Sequence, residues 1–252
     1  MEEYQKHHTS RLRSTSTANY HAWRIGDYMA GRRASEARQV AAEIVKGLSP
    51  HYAPATVNRS LSALRKALRM AFDLGMCRED WGATIHRLPE RNAREIFLDL
   101  GEVQVLTTHA SKSVEAAIWI AVFTGLRRGE IISLTKDCIG PDMLTVAAGN
   151  TKTLKTRSVP IVDPARQWLE KVPLGINAEG LKTGFARTRE AAGMAHVHFH
   201  DLRHSCASLM VQAGVELLTV SKILGHSSTR MTERYAHLQV EHQRKGLVKA
   251  FG

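Results

Sequence analysis

An unbroken apolar run, Ala116 to Phe123, lies near the middle of this 252-residue chain and constrains what can form around it. The surrounding stretch from Ser113 to Thr124 carries Ala117, Ile118, Ile120, Ala121 and Val122 and leaves a helix no continuous polar face. A helix that is apolar all round must be enclosed. The run falls far short of the roughly 20 residues that span a bilayer, so it reads as a buried core helix. It ends at Thr124-Gly125-Leu126-Arg127-Arg128-Gly129-Glu130-Ile131, where two glycines flank an arginine pair. A turn of this kind fixes Arg127 at the end of a rigid element, a suitable place for a preorganised phosphate donor. The plainer reading is a surface cation complementing the helix dipole.

The region before this helix reads as a helical domain. Residues 1 to 14 are polar and basic, with His7, His8, Arg11 and Arg13, and form an expected flexible start. A helix is predicted from Thr17 through Trp23, Ile25 and Met29, and another from Ser35 to Lys46, with Gly47 as its stop. The clearest helix runs from Pro54 to Leu74. Pro54 suits a first turn, Val57, Leu61, Leu64 and Leu68 recur at helical spacing, and Gly75 ends it. Its other side carries Arg59, Arg65, Lys66 and Arg69, with no acid until Asp73. Such a face is either solvated surface or a contact for a DNA backbone. Residues 15–88 therefore read as one domain, 89–97 as a charged linker, and 98–252 as a second domain.

Charge narrows the class of partner. The chain holds 35 Lys and Arg against 24 Asp and Glu, a formal net charge of +11. Both halves share the excess. That balance favours nucleic acid or an anionic membrane surface as partner. No signal peptide is expected, and three scattered cysteines, Cys77, Cys138 and Cys206, fit a reducing cytoplasm rather than a disulfide frame.

In the second domain, Asp99 and Glu102 are spaced to cap a helix through Thr108. Met143 to Ala147 and Thr156 to Ile161 have strand-like composition after a Gly140-Pro141-Asp142 turn, which predicts a small antiparallel sheet of two or three strands. Lys152 and Lys155 fall on the connection between them. Helices are predicted at Pro164 to Val172 and Ala178 to Ala192.

Chemistry concentrates between His200 and Tyr235. His200-Asp201-Leu202-Arg203-His204 places an imidazole and a guanidinium on one helix face, with Leu202, Leu209, Met210 and Ala213 as the apolar stripe behind. Arg grips two phosphate oxygens in a fork, and His donates to a third or moves a proton. Leu224-Gly225-His226-Ser227 adds a second imidazole, and Arg234-Tyr235 adds a phenol, a possible nucleophile once activated. His200 and His204 also have the i, i+4 spacing of metal ligands. The intervening Glu of a zinc-protease helix is missing and no third ligand is evident, so no metal site is expected.

In this order and spacing, His-x-x-Arg, Leu-Gly-His and a following Tyr resemble the catalytic domain of the tyrosine recombinases, the phage integrase family. Thr-Gly-Leu-Arg-x-Gly-Glu at 124–130 resembles that family's first arginine box. Thr-Lys-Thr-x-Lys-x-Arg-x-Val-Pro at 151–160 is similar to its active-site hairpin. More loosely, 53–65 resembles its core-binding domain. The resemblance covers about residues 54 to 237.

It implies a mainly α fold with a small antiparallel sheet, built as a two-domain C-shaped clamp of a helical core-binding domain and a tyrosine-recombinase catalytic domain. It implies an integrase-type site-specific recombinase that breaks and rejoins DNA through a 3′-phosphotyrosine intermediate. Tyr235 matches the nucleophile, and His200 the base for its phenol. Arg127 and Arg203 match the phosphate-neutralising arginines, His226 a phosphate donor, and Lys152 the acid that expels the 5′-oxygen. Glu130 matches a buried supporting acid. No cofactor is implied. The implied partners are double-stranded DNA attachment sites, a homotetramer on that DNA, and accessory DNA-bending or directionality proteins. Two other readings are a type IB topoisomerase-like nicking enzyme and a catalytically silent DNA-binding regulator. The complete residue set argues against the second.

Overall fold

The computed structural model describes residues 4, 6, 15–90, 96–147, 156–226, 228, 230–239, 248 and 251. The chain divides into two compact units, Met1–Ala93 and Arg94–Gly252, each around its own apolar cluster. The division falls inside the charged 89–97 stretch.

In the first unit, α1 (Thr15–Met29), α2 (Ala37–Leu48) and α3 (Pro54–Asp73) enclose Ile25, Val40, Ile44, Val57, Leu61 and Leu64. Pro54 lies in the first turn of α3, and Gly75 follows that helix with a φ of 70°. Gly47 does not stop α2, as the sequence suggested, but lies within it. The Tyr28 hydroxyl occupies the space next to Gly47, 2.5 Å from where a Cβ would stand, so the glycine serves close packing rather than a turn.

The stretch after α3 is ordered against it. A single 3-10 turn, Trp81–Thr84, follows Asp80, and a Cβ on Gly82 would collide with the Arg65 carbonyl. Ile85 is buried. Asn58 Nδ2 donates to the Leu88 carbonyl at 2.8 Å, and the Leu88 N–H donates to Asn58 Oδ1 at 2.8 Å. One side chain thus supplies the missing backbone partners of an irregular segment.

The second unit is arranged around the apolar run. α4 (Leu100–Thr107) is capped reciprocally. The Glu102 N–H donates to Asp99 Oδ1 at 2.8 Å, and the Asp99 N–H donates to Glu102 Oε2 at 2.9 Å. α5 (Lys112–Thr124) is buried almost all round and is followed by the short α6 (Arg128–Ile132). Strands β1 (Met143–Val146) and β2 (Arg157–Pro160) pair antiparallel, Met143 opposite Pro160 and Val146 opposite Arg157. Then come α7 (Asp163–Leu169), α8 (Ala178–Ala191), α9 (Phe199–Gln212), α10 (Leu217–Leu224) and α11 (Arg230–Glu233). α5 packs against both α7 and α9. The architecture is mainly α with a small two-stranded antiparallel sheet. Among the described residues no helix is long and apolar enough to cross a membrane.

The motif helix α9 departs from a simple amphipathic stripe. Leu202 is buried, Leu209 and Met210 are half-buried, and Ala213 lies exposed beyond the helix end. Ser205, Cys206, Ala207, Ser208 and Val211 are buried as well, because both α5 and the C-terminal elements press on this helix. Ser205 satisfies its hydroxyl internally by donating to the Asp201 carbonyl at 2.9 Å.

Replacing Asn58 with Ala should lower the stability of the first unit by about 1–3 kcal/mol, since it strands both polar groups of Leu88. Urea unfolding should show a lower midpoint with an unchanged slope.

Candidate active site

Three guanidinium groups converge on the C-terminal end of α10. The last carbonyls of a helix lack intrahelical partners. Here Arg157 Nε donates to the Ile223 carbonyl at 3.2 Å, Arg203 Nη2 to the Leu224 carbonyl at 2.7 Å, and Arg127 Nη2 to the Gly225 carbonyl at 3.2 Å. Arg203 Nη1 also donates to the Gly125 carbonyl at 2.6 Å, tying the end of α5 to the end of α10. Gly125 takes a φ of 64°, and a Cβ there would overlap Leu224 Cδ2. Only glycine fits this junction.

Glu130 is the hub of the cluster. Its carboxylate is 1% exposed and accepts from Arg157 Nη1 at 2.9 Å and Nη2 at 2.8 Å, from Arg127 Nη1 at 2.9 Å, and from the Arg127 N–H at 2.8 Å. Burial alone would raise its pKa. The Arg157 and Arg127 bonds outweigh that and hold it below the usual carboxylate range.

One carboxylate against three arginines leaves a local surplus of positive charge. Arg203 shows its effect: burial first, then the charges of Arg127 and Arg157, bring its pKa down to about 9. Beside the cluster opens a cavity of about 440 Å³ lined by Arg127, Arg128, His198, His200 and Arg203 among others. His226 is held at about 4 by burial, then by Arg203 and Arg127, and its Nδ1 is 2.7 Å from Thr232 Oγ1. His200 is lowered by burial and then by Arg203. The site is a cationic hollow with the His200 imidazole on its wall, suited to a small anion.

Local structure explains the placement. The His198 N–H donates to Asp201 Oδ2 at 2.8 Å, which caps the start of α9. From that fixed start His200 faces the cavity, Arg203 turns inward to the two carbonyls, and His204 points to the C-terminal segment. There His204 Nδ1 is hydrogen-bonded to the Tyr235 hydroxyl. Tyr235 is 1% exposed and packs with Ala207, Val211, Val220 and Leu224. Burial pushes its phenol up to about 12.

The structure therefore brings Arg127, Glu130, His200, Arg203 and His226 into one neighbourhood. The phenol meets His204 rather than the expected His200. Lys152 lies outside the described residues. In the first unit Arg59, Arg65, Lys66 and Arg69 are all exposed, and the last three line one groove with Arg87 and Asp80. Arg69 is bonded to Asp73 and to Asp80, each at 3.0 Å, so its charge is partly answered. Two of the contacts lie outside the sequence expectations. Arg157 stood in the Arg-x-Val-Pro spelling without a role, and His204 was weighed only as a metal ligand. Among the described residues no group of three or more His, Cys, Asp or Glu side chains could hold a metal ion.

Comparison with known proteins places this geometry. The phage integrase family model matches residues 175–242. The tyrosine recombinase XerC of Azotobacter vinelandii is 31% identical over 215 residues, which are 73% of this chain and 70% of that protein. The solved catalytic domain of bacteriophage HP1 integrase is 29% identical, with a TM-score of 0.51 over 62% of this chain and 95% of its own. A lambda integrase dimer bound to a COC′ core site has a TM-score of 0.74 over 93% of each chain at 21% identity, a likeness of fold.

Glu130 stabilises the folded chain at neutral pH, because its folded pKa lies below its unfolded one. That stability is present above the unfolded carboxylate value of about 4.3 and is lost as pH falls through the lower folded value. Glu130→Gln should cost about 2–4 kcal/mol at neutral pH by leaving two arginines without their shared acceptor. Denaturant midpoints of wild type and variant should draw together in acid.

Proposed function

The chain belongs to the phage integrase family of tyrosine recombinases and is a site-specific DNA recombinase; on that premise we propose that it breaks and rejoins double-stranded DNA through a 3′-phosphotyrosine at Tyr235. The observation that carries this reading is the convergence of Arg127, Arg157 and Arg203 on the carbonyls that end α10, with the Glu130 carboxylate bonded to two of them, beside an open cavity. A backbone phosphate supplies the negative charge this hollow lacks.

The residues divide the labour. Arg127, partly open at the cavity wall, donates to a non-bridging phosphate oxygen as charge grows in the transition state. Arg203 lends its charge and its remaining N–H groups from behind. His200 and His226 add donors from neutral rings. A neighbouring imidazole takes the proton of the phenol as the Tyr235 oxygen bonds to phosphorus, the bond to the 5′-oxygen breaks, and Lys152 gives that oxygen its proton. The phosphotyrosine retains the energy of the broken bond, so a new 5′-hydroxyl rejoins the strand by the reverse steps. No cofactor enters this scheme.

The first unit acts as the core-binding domain, with Arg59, Arg65 and Lys66 on the DNA backbone and Arg69 contributing what Asp73 and Asp80 leave. The catalytic unit acts on the same DNA. Exchange between two duplexes needs four strand breaks, one tyrosine each, and so a homotetramer on the attachment sites. Accessory proteins that bend the DNA or set direction complete the assembly.

The experiment that tests this reading is Tyr235→Phe. The variant should bind DNA as wild type does and form no covalent adduct on denaturing gels. Adducts at the wild-type level would place the nucleophile elsewhere. The acid has its own test, a substrate whose 5′-bridging oxygen is replaced by sulfur, a leaving group that needs little protonation. Lys152→Ala should cleave ordinary DNA slowly and regain most of its rate on the sulfur substrate. Lys155→Ala should show no such rescue.

A further inference from the structure

We propose that Arg128 and His198 form a second anion subsite on the wall of the arginine cavity, which holds the DNA phosphate next to the scissile one on the same strand. This rests on the reading of the cavity as the seat of the scissile phosphate.

The inner cations of the cavity are already committed. Arg127 bonds Glu130 and the Gly225 carbonyl, and Arg203 bonds the Gly125 and Leu224 carbonyls. Arg128 lines the same cavity, is exposed, and makes no hydrogen bond or ion pair among the described residues. The local backbone explains why two consecutive arginines part ways. Arg127 is extended, with φ −73° and ψ 152°, and Arg128 is the first residue of α6. That change of conformation lets one guanidinium reach Glu130 while the other stays at the cavity wall. Gly129 follows, and a Cβ there would meet nothing within 4 Å, so the wall beside Arg128 is open. His198 lines the cavity from the start of α9. Its side chain is exposed, and its backbone is fixed by the bond from its N–H to Asp201.

Charge and size both call for a second phosphate. Arg127, Arg128, Arg203, His198 and His200 line the cavity, and no acid does. Glu130 stands behind it and is shared between Arg127 and Arg157. A diester phosphate carries one negative charge, so a single one seated at Arg127 and His200 leaves Arg128 unanswered. The volume of about 440 Å³ is also more than one phosphate group fills. A DNA strand repeats its charge every 3.4 Å or so of helix axis, about one side-chain length away, so seating the scissile phosphate brings its neighbour to the same wall. Leu126 and Phe199 complete the lining and offer apolar surface to the sugar that joins the two. A guanidinium grips phosphate oxygens in a fork, and an imidazole donates an N–H in either protonation state. Two anchors on one strand fix its direction through the cavity, which aligns the bond to be broken.

The test uses the full chain and duplexes built on DNA with which wild type forms adducts. In each, one phosphate flanking the scissile one is replaced by a methylphosphonate, which is uncharged. At one flanking position wild type should lose about tenfold in affinity. Arg128→Ala should lose about as much on ordinary DNA and nothing further on that duplex, the non-additivity of two groups in contact. The slope of its log affinity against log salt should be shallower than that of wild type by about 0.9, the worth of one phosphate. His198→Ala should show the same coupling with a smaller loss. Arg128 is exposed and unpaired among the described residues, so the melting temperature of Arg128→Ala should match that of wild type. Losses that add at every flanking position would overturn the subsite, and so would wild-type affinity in Arg128→Ala. The underlying reading fails separately. Coupling found while Tyr235→Phe still forms adducts would keep the subsite and overturn the nucleophile. Absence of coupling while Tyr235→Phe forms none would keep the nucleophile and overturn the subsite.

Discussion

The catalytic unit depends on one buried carboxylate. Glu130 is 1% exposed and spans Arg127 at the cap of its own helix and Arg157 on β2, and both arginines continue to the carbonyls that end α10. A single acid thus joins α6, the sheet and α10. Alone in the interior it would be costly, and alone the arginines would repel one another. Together they form a frame in which each charge is held by the others. The frame is also unbalanced, because Arg203 adds a third cation and among the described residues no second acid is bonded to the cluster.

That imbalance is affordable because the cations sit on a helix C-terminus. The free carbonyls of α10 carry partial negative charge, and the macrodipole favours cations there. The same carbonyls fix the direction of each guanidinium, so little reorganisation remains when an anion arrives. The surplus then acts on the imidazoles. Burial and nearby arginines keep His200 and His226 neutral. A neutral ring donates through one nitrogen and accepts through the other, which serves phosphate chemistry better than two fixed charges would. The frame that stabilises the domain therefore also sets the protonation states of the site.

Much of this was legible in the sequence where the signal is local. The apolar run gave α5, the spacing of Val57, Leu61, Leu64 and Leu68 gave α3, and Asp99 with Glu102 gave the cap of α4. The arginine box and the histidine motif led to Arg127, Glu130, His200, Arg203 and His226. Illegibility begins where a residue's meaning is set by a partner far along the chain. Gly47 resembled a helix stop because nothing nearby in sequence announces the Tyr28 hydroxyl against it. Ala213 fitted a stripe whose true extent depends on α5 and the C-terminal segment. Arg157 reads as an ordinary strand residue until Glu130 is brought beside it from twenty-seven positions earlier.

The adjacency of Arg203 and His204 shows how one helix turn separates roles that a linear motif runs together. Successive residues of an α-helix point about 100° apart, and those four apart share a face. His200 and His204 accordingly lie edge to face, one toward the cavity and the other toward the phenol, while Arg203 turns inward to the ends of α5 and α10. The framework, the cavity wall and the partner of the phenol are thus delivered from a single turn whose start is fixed by Asp201. A shift of one residue in the register of α9 would turn Arg203 toward the phenol and set Leu202 among carbonyls that need donors. The buried cap at Asp201 therefore shapes the site as much as the groups that line it, because it decides which side chain meets which partner.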